Sequence, residues 1–219
     1  MFMTLRNALL AAGLSALSLP ASAATFYDNG APNVANGYNF GNPSVADDFT
    51  LSTAQYLEEV TFWAYSNDAA GNLGQIGWGV YLDAASLPGA EVATGLATSS
   101  SVTATGDFVS GYSIYEVTFS IGSLLLDAGQ QYWLALDSGS LFTNTTPGFA
   151  GWVFNSDVDG DTAVYGQAGS WSRGAAYPYD SAFTLSGSPA SPVPLPASGV
   201  LLLSLLGGVV AWRRKSGRS

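Results

Sequence analysis

Val60-Thr61-Phe62-Trp63-Ala64-Tyr65 alternates along its length, with Val60, Phe62 and Ala64 on one side of an extended chain and Thr61, Trp63 and Tyr65 on the other. Successive side chains of a β-strand point to opposite faces, so this spacing predicts a strand lying on a core. The same period of two returns in Ile76, Trp78, Val80 and Leu82 against Gly77, Gly79, Tyr81 and Asp83. It returns again in Tyr115, Val117, Phe119 and Ile121 against Glu116, Thr118 and Ser120. Shorter runs at 132–136, 151–154 and 182–185 continue it, and Leu87-Pro88-Gly89 and Asp127-Ala128-Gly129 carry turn chemistry between them. Between the termini no segment holds a helical period over a useful length. About eight such strands predict an all-β body, a single β-sandwich or jelly-roll domain over residues 24–187.

The charge of the body narrows its partners. All 16 Asp and Glu of the 219-residue chain lie from Asp28 to Asp180, where Arg173 is the single base. Such a field repels phosphate backbones, which need Lys and Arg to displace counterions, and this excludes nucleic acid as an expected partner. Cysteine and histidine are both absent. Disulfides, thiolate nucleophiles, Ser-His-Asp triads and nearly all zinc or iron sites go with them. Stability must then come from packing, for which an aromatic content of 13% supplies large buried areas.

The two ends read as addresses. Arg6 precedes an apolar stretch at 8–19, Pro20 interrupts it, and Ala21 and Ala23 put small residues where a signal peptidase reads. Residues 1–23 are therefore expected to be a secretory signal peptide, with Ala24 the first residue of the mature chain. After a linker at 188–192, residues 199–212 carry no charge, and counting from Leu195 gives 18 residues, near the lower limit for a membrane-spanning helix. Trp212 suits an interfacial ring. Arg213, Arg214 and Lys215, with Arg218, form a basic stop expected on the cytoplasmic side. A short span of this kind predicts transient anchoring in the inner membrane, with the body facing outward.

Val193-Pro194-Leu195-Pro196-Ala197, followed directly by the apolar run and the basic stop, closely resembles the sorting tail of the PEP-CTERM proteins in the variant called VPLPA-CTERM. The resemblance covers residues 193–219. It implies recognition by an exosortase, a membrane-embedded cysteine transpeptidase that cuts near the motif, and delivery to the cell surface or outside in bacteria that make exopolysaccharide. A plain anchor with a proline-stiffened entry is one alternative. A sortase signal is another, but Leu195-Pro196-Ala197-Ser198-Gly199 has Ser198 in place of threonine and no polar spacer before the apolar run. GPI signals do not usually end in a basic cluster. Segments 46–51, 80–89, 128–134 and 180–185 are similar to recurrent pieces of the β-sandwich bodies that precede such tails. That likeness implies a fold and a surface address without a settled activity.

Three groups of residues invite chemistry. Asn155, Asp157, Asp159 and Asp161 place oxygen side chains at alternate positions, with Gly160 at a sharp turn, like the first half of an EF-hand calcium loop. The twelfth position holds Gly166 instead of a bidentate Glu, so a site would need another ligand, such as Asp180 or a carbonyl. A solvated acidic turn accounts for the same residues. Asp47-Asp48 and Glu58-Glu59 are adjacent pairs whose members point to opposite faces, so neither pair can act as acid and nucleophile together, and solvated strand edges are expected for them. Trp152 and Trp171, with Tyr177 and Tyr179, have rings suited to stacking on sugars, although most such rings pack inside sheets. Asn144-Thr145-Thr146 matches a glycosylation pattern that arises often by chance. The expectation is an exported, non-enzymatic surface or matrix protein. Calcium-assisted exopolysaccharide binding is the alternative, and glycan cleavage a distant third.

Overall fold

The computed structural model describes residues 23–40, 43–138, 149–155, 162–167, 170–173 and 179–190, with 70, 71 and 167 described through backbone alone. Ala21, the motif Val193 to Ala197, the apolar run and the basic stop lie outside the described residues, as do Asp157, Asp159, Asp161 and Tyr177. A compact unit runs to Pro189; of the second unit, Ala190–Ser219, only Ala190 is described.

In chain order the described elements are β1 (Ala24–Asp28), β2 (Pro32–Asn39), β3 (Ser44–Thr50), β4 (Gln55–Ser66), α1 (Ala69–Leu73), β5 (Gln75–Asp83), β6 (Pro88–Val109), β7 (Tyr112–Leu126), β8 (Gln131–Ser138), β9 (Ala150–Asn155), β10 (Val164–Gln167), β11 (Ser170–Arg173) and β12 (Phe183–Pro189). The body is all-β and every pairing is antiparallel, in the order β1-β12-β4-β7-β6-β5-β8-β3-β10-β11, with β9 bridging β4 and β2. One path yields two layers because β6 changes partners along its length, pairing β5 from Pro88 to Thr98 and β7 from Ser99 to Val109. Rings from the two halves then meet. Phe49 of β3 lies 5.6 Å from Tyr27 of β1 and 6.4 Å from Phe183 of β12, centroid to centroid. The result is sandwich-like.

Alternation translates into burial as expected along β4, whereas Leu82, in phase with the core residues of β5, is 36% exposed. Val60, Phe62 and Ala64 are fully buried, and Phe62 meets Phe40, Phe119 and Trp152 edge-on at 5.7, 6.1 and 6.0 Å. Edge-on geometry sets the positive rim of one ring against the negative face of the next. Leu57 and Val60 are both buried although three positions apart, because the register slips at Glu58 against both β7 and β12. A bulge there returns the following residues to phase.

The strand β8 is buried on both faces. Leu134 and Leu136 join the main core, while Trp133 and Ala135 join a second cluster with Ala46, Tyr81 and Val164 on the opposite face. This cluster is roofed by curling. Three strands separate β5 from β11, a distance of about 19 Å in a flat sheet at the usual strand spacing. Yet the rings of Tyr81 and Trp171 are 5.9 Å apart. Arg173 on β11 also donates to the Ser86 carbonyl at 2.7 Å, so the β10–β11 hairpin folds back over the β5–β6 turn.

Two expectations shift. The turn expected at 87–89 lies earlier, closed by Ala84 N–H to Leu87 O at 2.8 Å with Ala85 and Ser86 left-handed, and Pro88 already opens β6. The last strand enters the expected linker, since Ser188 and Pro189 pair with Tyr56 and Gln55.

Candidate functional site

Along β3 the side chains of Val45 and Phe49 enter the main core while Ala46 enters the second cluster, so by alternation Asp47 shares the inner face and Asp48 the outer. Asp47 is fully buried and Asp48 is 5% exposed. The expectation of solvated strand edges is therefore wrong for this pair. The reason is topological: β3 is interior, flanked by β8 and β10, and the lead-in to β12 crosses its inner face.

Donors from three segments converge on the Asp47 carboxylate. Its Oδ2 accepts from Asn29 Nδ2 at 3.2 Å and from the Ser181 backbone N–H at 2.5 Å, and its Oδ1 accepts from the Asp48 N–H at 3.0 Å. Asn29 is itself clamped. Its Nδ2 also donates to the Ser181 carbonyl at 2.9 Å, its Oδ1 accepts from the Tyr27 hydroxyl at 2.9 Å, and its carbonyl accepts from Asn155 Nδ2. Asn155, the last residue of β9, donates its N–H to the Asp180 carbonyl at 2.9 Å and accepts from Asn33 Nδ2 at 2.6 Å. Asn29, Asp180 and Ser181 are each at most 5% exposed.

The electrostatics are one-sided. Burial, then the neighbouring Asp180, then Asp48 push the Asp47 carboxyl well above the usual carboxylate range, against the pull of the Ser181 and Asp48 N–H bonds. Arg173, the one base of the body, spends its guanidinium on Ser86 O and on Thr162 Oγ1 at 3.3 Å. Among the described residues no three acidic side chains gather as metal ligands. Any cation here would take amide, hydroxyl or carbonyl oxygens as well. Asn155 Oδ1 and Ser181 Oγ are buried with no hydrogen-bond partner among the described residues.

Of the expected calcium ligands, Asn155 is thus in this cluster, bonded through its backbone to Asp180, while the three aspartates of its loop are outside the described residues. Asn29 was missed by sequence reasoning, and Asp47 was weighed only as one member of an adjacent acidic pair at a solvated edge. A signal existed: Asp47 falls in phase with Val45 and Phe49, where a core side chain belongs. Glu58 and Glu59 are half-buried at the bulge, and Glu58 accepts from Ser188 Oγ at 2.9 Å, away from the cluster.

The two tryptophans part company. Trp152 is fully buried between Phe62 and Phe183, with Nε1 donating to the Ala182 carbonyl at 2.9 Å. A ring enclosed in this way offers no face to a sugar, and its expected role as a stacking platform is corrected to a core role. Trp171 is half-buried on β11 against Tyr81. Tyr179 is 43% exposed with its ring 5.2 Å from Phe154.

No family model matches the chain. No curated protein matches it either. Among solved structures, it is similar to the cysteine protease and lectin-like domains of Cwp84, a surface layer associated protein of Clostridium difficile, with a TM-score of 0.41 and 11% identity over 68% of this chain. The chain spans 32% of that structure, and nothing about activity follows from a likeness at that level.

Proposed function

We propose that the chain is an exported surface or extracellular-matrix protein, delivered through its C-terminal signal, whose β-sandwich body has a structural, non-enzymatic role. The observation that carries this reading is the tail: Val193 to Ala197, an uncharged run and Arg213-Arg214-Lys215, in that order, at the far end from a signal-peptide pattern ending at Ala23. Signal peptidase and an exosortase are the implied partners, with inner-membrane anchoring an intermediate stage. The body holds itself together without cysteine, through aromatic packing.

Intact mass spectrometry of the native protein, from host cells with and without the exosortase, tests the proposal. The expected result is loss of the tail near 193–197 only where the enzyme is present. An unprocessed tail in both strains would reject the route.

Exopolysaccharide binding is a second reading, favoured by a specific observation. Trp171 is only half-buried at the curled edge of the sheet, so part of its ring stays open beside Tyr81, and its Nε1 has no hydrogen-bond partner among the described residues. An open aromatic face can stack on a sugar ring. Pull-down on the host polysaccharide should then fail for Trp171→Ala while the fold persists.

A further inference from the structure

We propose that the buried cluster between β1, β3, the end of β9 and the start of β12 is a calcium site, ligated by the carboxylates of Asp47 and Asp180 and by the amide oxygen of Asn155. The inference is independent of the delivery route.

The placement of Asn155 and Asp180 follows from the backbone. Phe154 and Ser181 form an isolated antiparallel bridge, flanked by Asn155 N–H to Asp180 O and Ala182 N–H to Val153 O at 2.8 Å. This pattern sets Asn155 directly opposite Asp180, so their side chains share a face, with Cβ atoms about 5 Å apart. Asn155 gives its Nδ2 to the Asn29 carbonyl, which leaves Oδ1 at the opposite edge of the same planar amide, on the face that Asn155 shares with Asp180. That oxygen is buried, in a residue 2% exposed, and no donor reaches it among the described residues. Asn29 closes the circle, since its side chain holds Asp47, whose carboxylate also accepts from the backbone N–H of Ser181, the residue next to Asp180.

Two buried carboxylates and a buried amide oxygen repel one another, and a divalent cation turns that repulsion into attraction. The donor set selects the metal. A chain with neither histidine nor cysteine offers only oxygens. Calcium accepts such oxygens in irregular geometry, whereas magnesium demands a tight octahedron and keeps its waters. Carbonyls and water complete the shell.

The test uses the full chain in detergent, stripped with chelator and titrated with calcium chloride by calorimetry, with the thermal midpoint followed in parallel. A second readout is terbium luminescence excited through tyrosine, for which Tyr27 stands one hydrogen bond from Asn29. The wild type should bind in the range of extracellular modules, about 0.1–1 mM, and its midpoint should rise with calcium far more than with magnesium. Asp180→Asn should weaken binding at least tenfold and Asn155→Ala several-fold, while Glu116→Gln, on the exposed face of β7, should match the wild type. Absence of heat and of any midpoint shift at about 10 mM calcium overturns the proposal. So does an Asp180→Asn protein that binds as the wild type does. Should Asp180→Asn not fold, Asn155→Ala and the wild-type terbium signal decide, and terbium emission that calcium fails to displace counts against the site.

Discussion

Replacing Trp152 by alanine should remove more stability than any replacement at Trp171, and the structure sets the size of the difference. The Trp152 indole is fully enclosed, 6.0 Å from Phe62 and 5.6 Å from Phe183, and its Nε1 satisfies the Ala182 carbonyl. Truncating a buried Trp leaves a cavity that the neighbouring rings fill only in part, at a cost of about 3–5 kcal/mol. For a domain of this size each kcal/mol moves the thermal midpoint by about 2–4 °C, so Trp152→Ala should melt about 6–20 °C lower. Trp152→Phe keeps most of the ring but loses the N–H donor, and should cost about 1–2 kcal/mol. Trp171 is half-buried and covers Tyr81 from an edge hairpin, so its truncation should cost about 1 kcal/mol. Calorimetry and urea unfolding on the three variants provide the measurement. A Trp152→Ala protein melting within about 2 °C of the wild type would refute the assignment of that ring to the core. A Trp171→Ala loss as large as that of Trp152→Ala would refute the picture of a peripheral hairpin. The series also separates the binding readings, because polysaccharide affinity lost only in a destabilised Trp152 variant says nothing about recognition.

Three further outcomes follow from the packing. In chelator, the raised Asp47 carboxyl means that the folded chain holds a proton the unfolded chain has released; stability should therefore fall as pH rises from the ordinary carboxylate range through the raised value, and Asp47→Asn should flatten that slope in urea unfolding. Burial, helped by Glu91, pushes the Tyr81 phenol up to about 12, so alkaline ultraviolet titration should show a late-ionising tyrosine that Tyr81→Phe removes, with the associated stability lost between the ordinary tyrosine pKa and about 12. A Cβ on Gly187 would collide with the Tyr56 carbonyl across the β4–β12 ladder, so Gly187→Ala should lower the urea midpoint by the equivalent of about 1–3 kcal/mol, and an unchanged midpoint would contradict the pairing at the bulge.

How much of this was legible depended on whether a strand has one buried face or two. Strands β4 and β7 carry apolar residues at every second position over one core, and their alternation could be read directly; β5 keeps the alternation in sequence because glycines fill most of its second face, which Tyr81 nevertheless buries. The 22-residue β6 could not, because its Thr, Ser, Ala and Gly positions are mostly exposed and lack an apolar stripe; it is held extended by pairing β5 and then β7. Pairing of this kind is tertiary, and strand propensity follows neighbours more than residue type. Trp152 shows the opposite difficulty. All six residues of β9 are buried, so the run announces a strand while its period cannot tell which ring faces a ligand. The β10–β11 hairpin, with Trp171, is short and was unreadable until its curl over Tyr81 supplied the contact that explains it.

Asp47 marks where sequence patterning and physical cost diverge. Its position between Val45 and Phe49 on the inner face would ordinarily hold an aliphatic side chain, and a well-packed one there would avoid the burial of charge. What makes the carboxylate tenable is that the chain approaches it with donors already in place, from Asn29 after β1 and from Ser181 before β12. An aliphatic side chain would leave the Ser181 N–H and one bond of the Asn29 amide without an acceptor in a dry interior, at a cost of about 1–3 kcal/mol for each stranded group. The acid and its donors are thus a single unit, tying a strand of one layer to the first and last strands of the other. Register depends on the same unit. A one-residue slip of β3 would bring Asp48 inward to the donors but turn Val45 and Phe49 out of the core, so the polar contacts tolerate the slip and the flanking apolar residues forbid it.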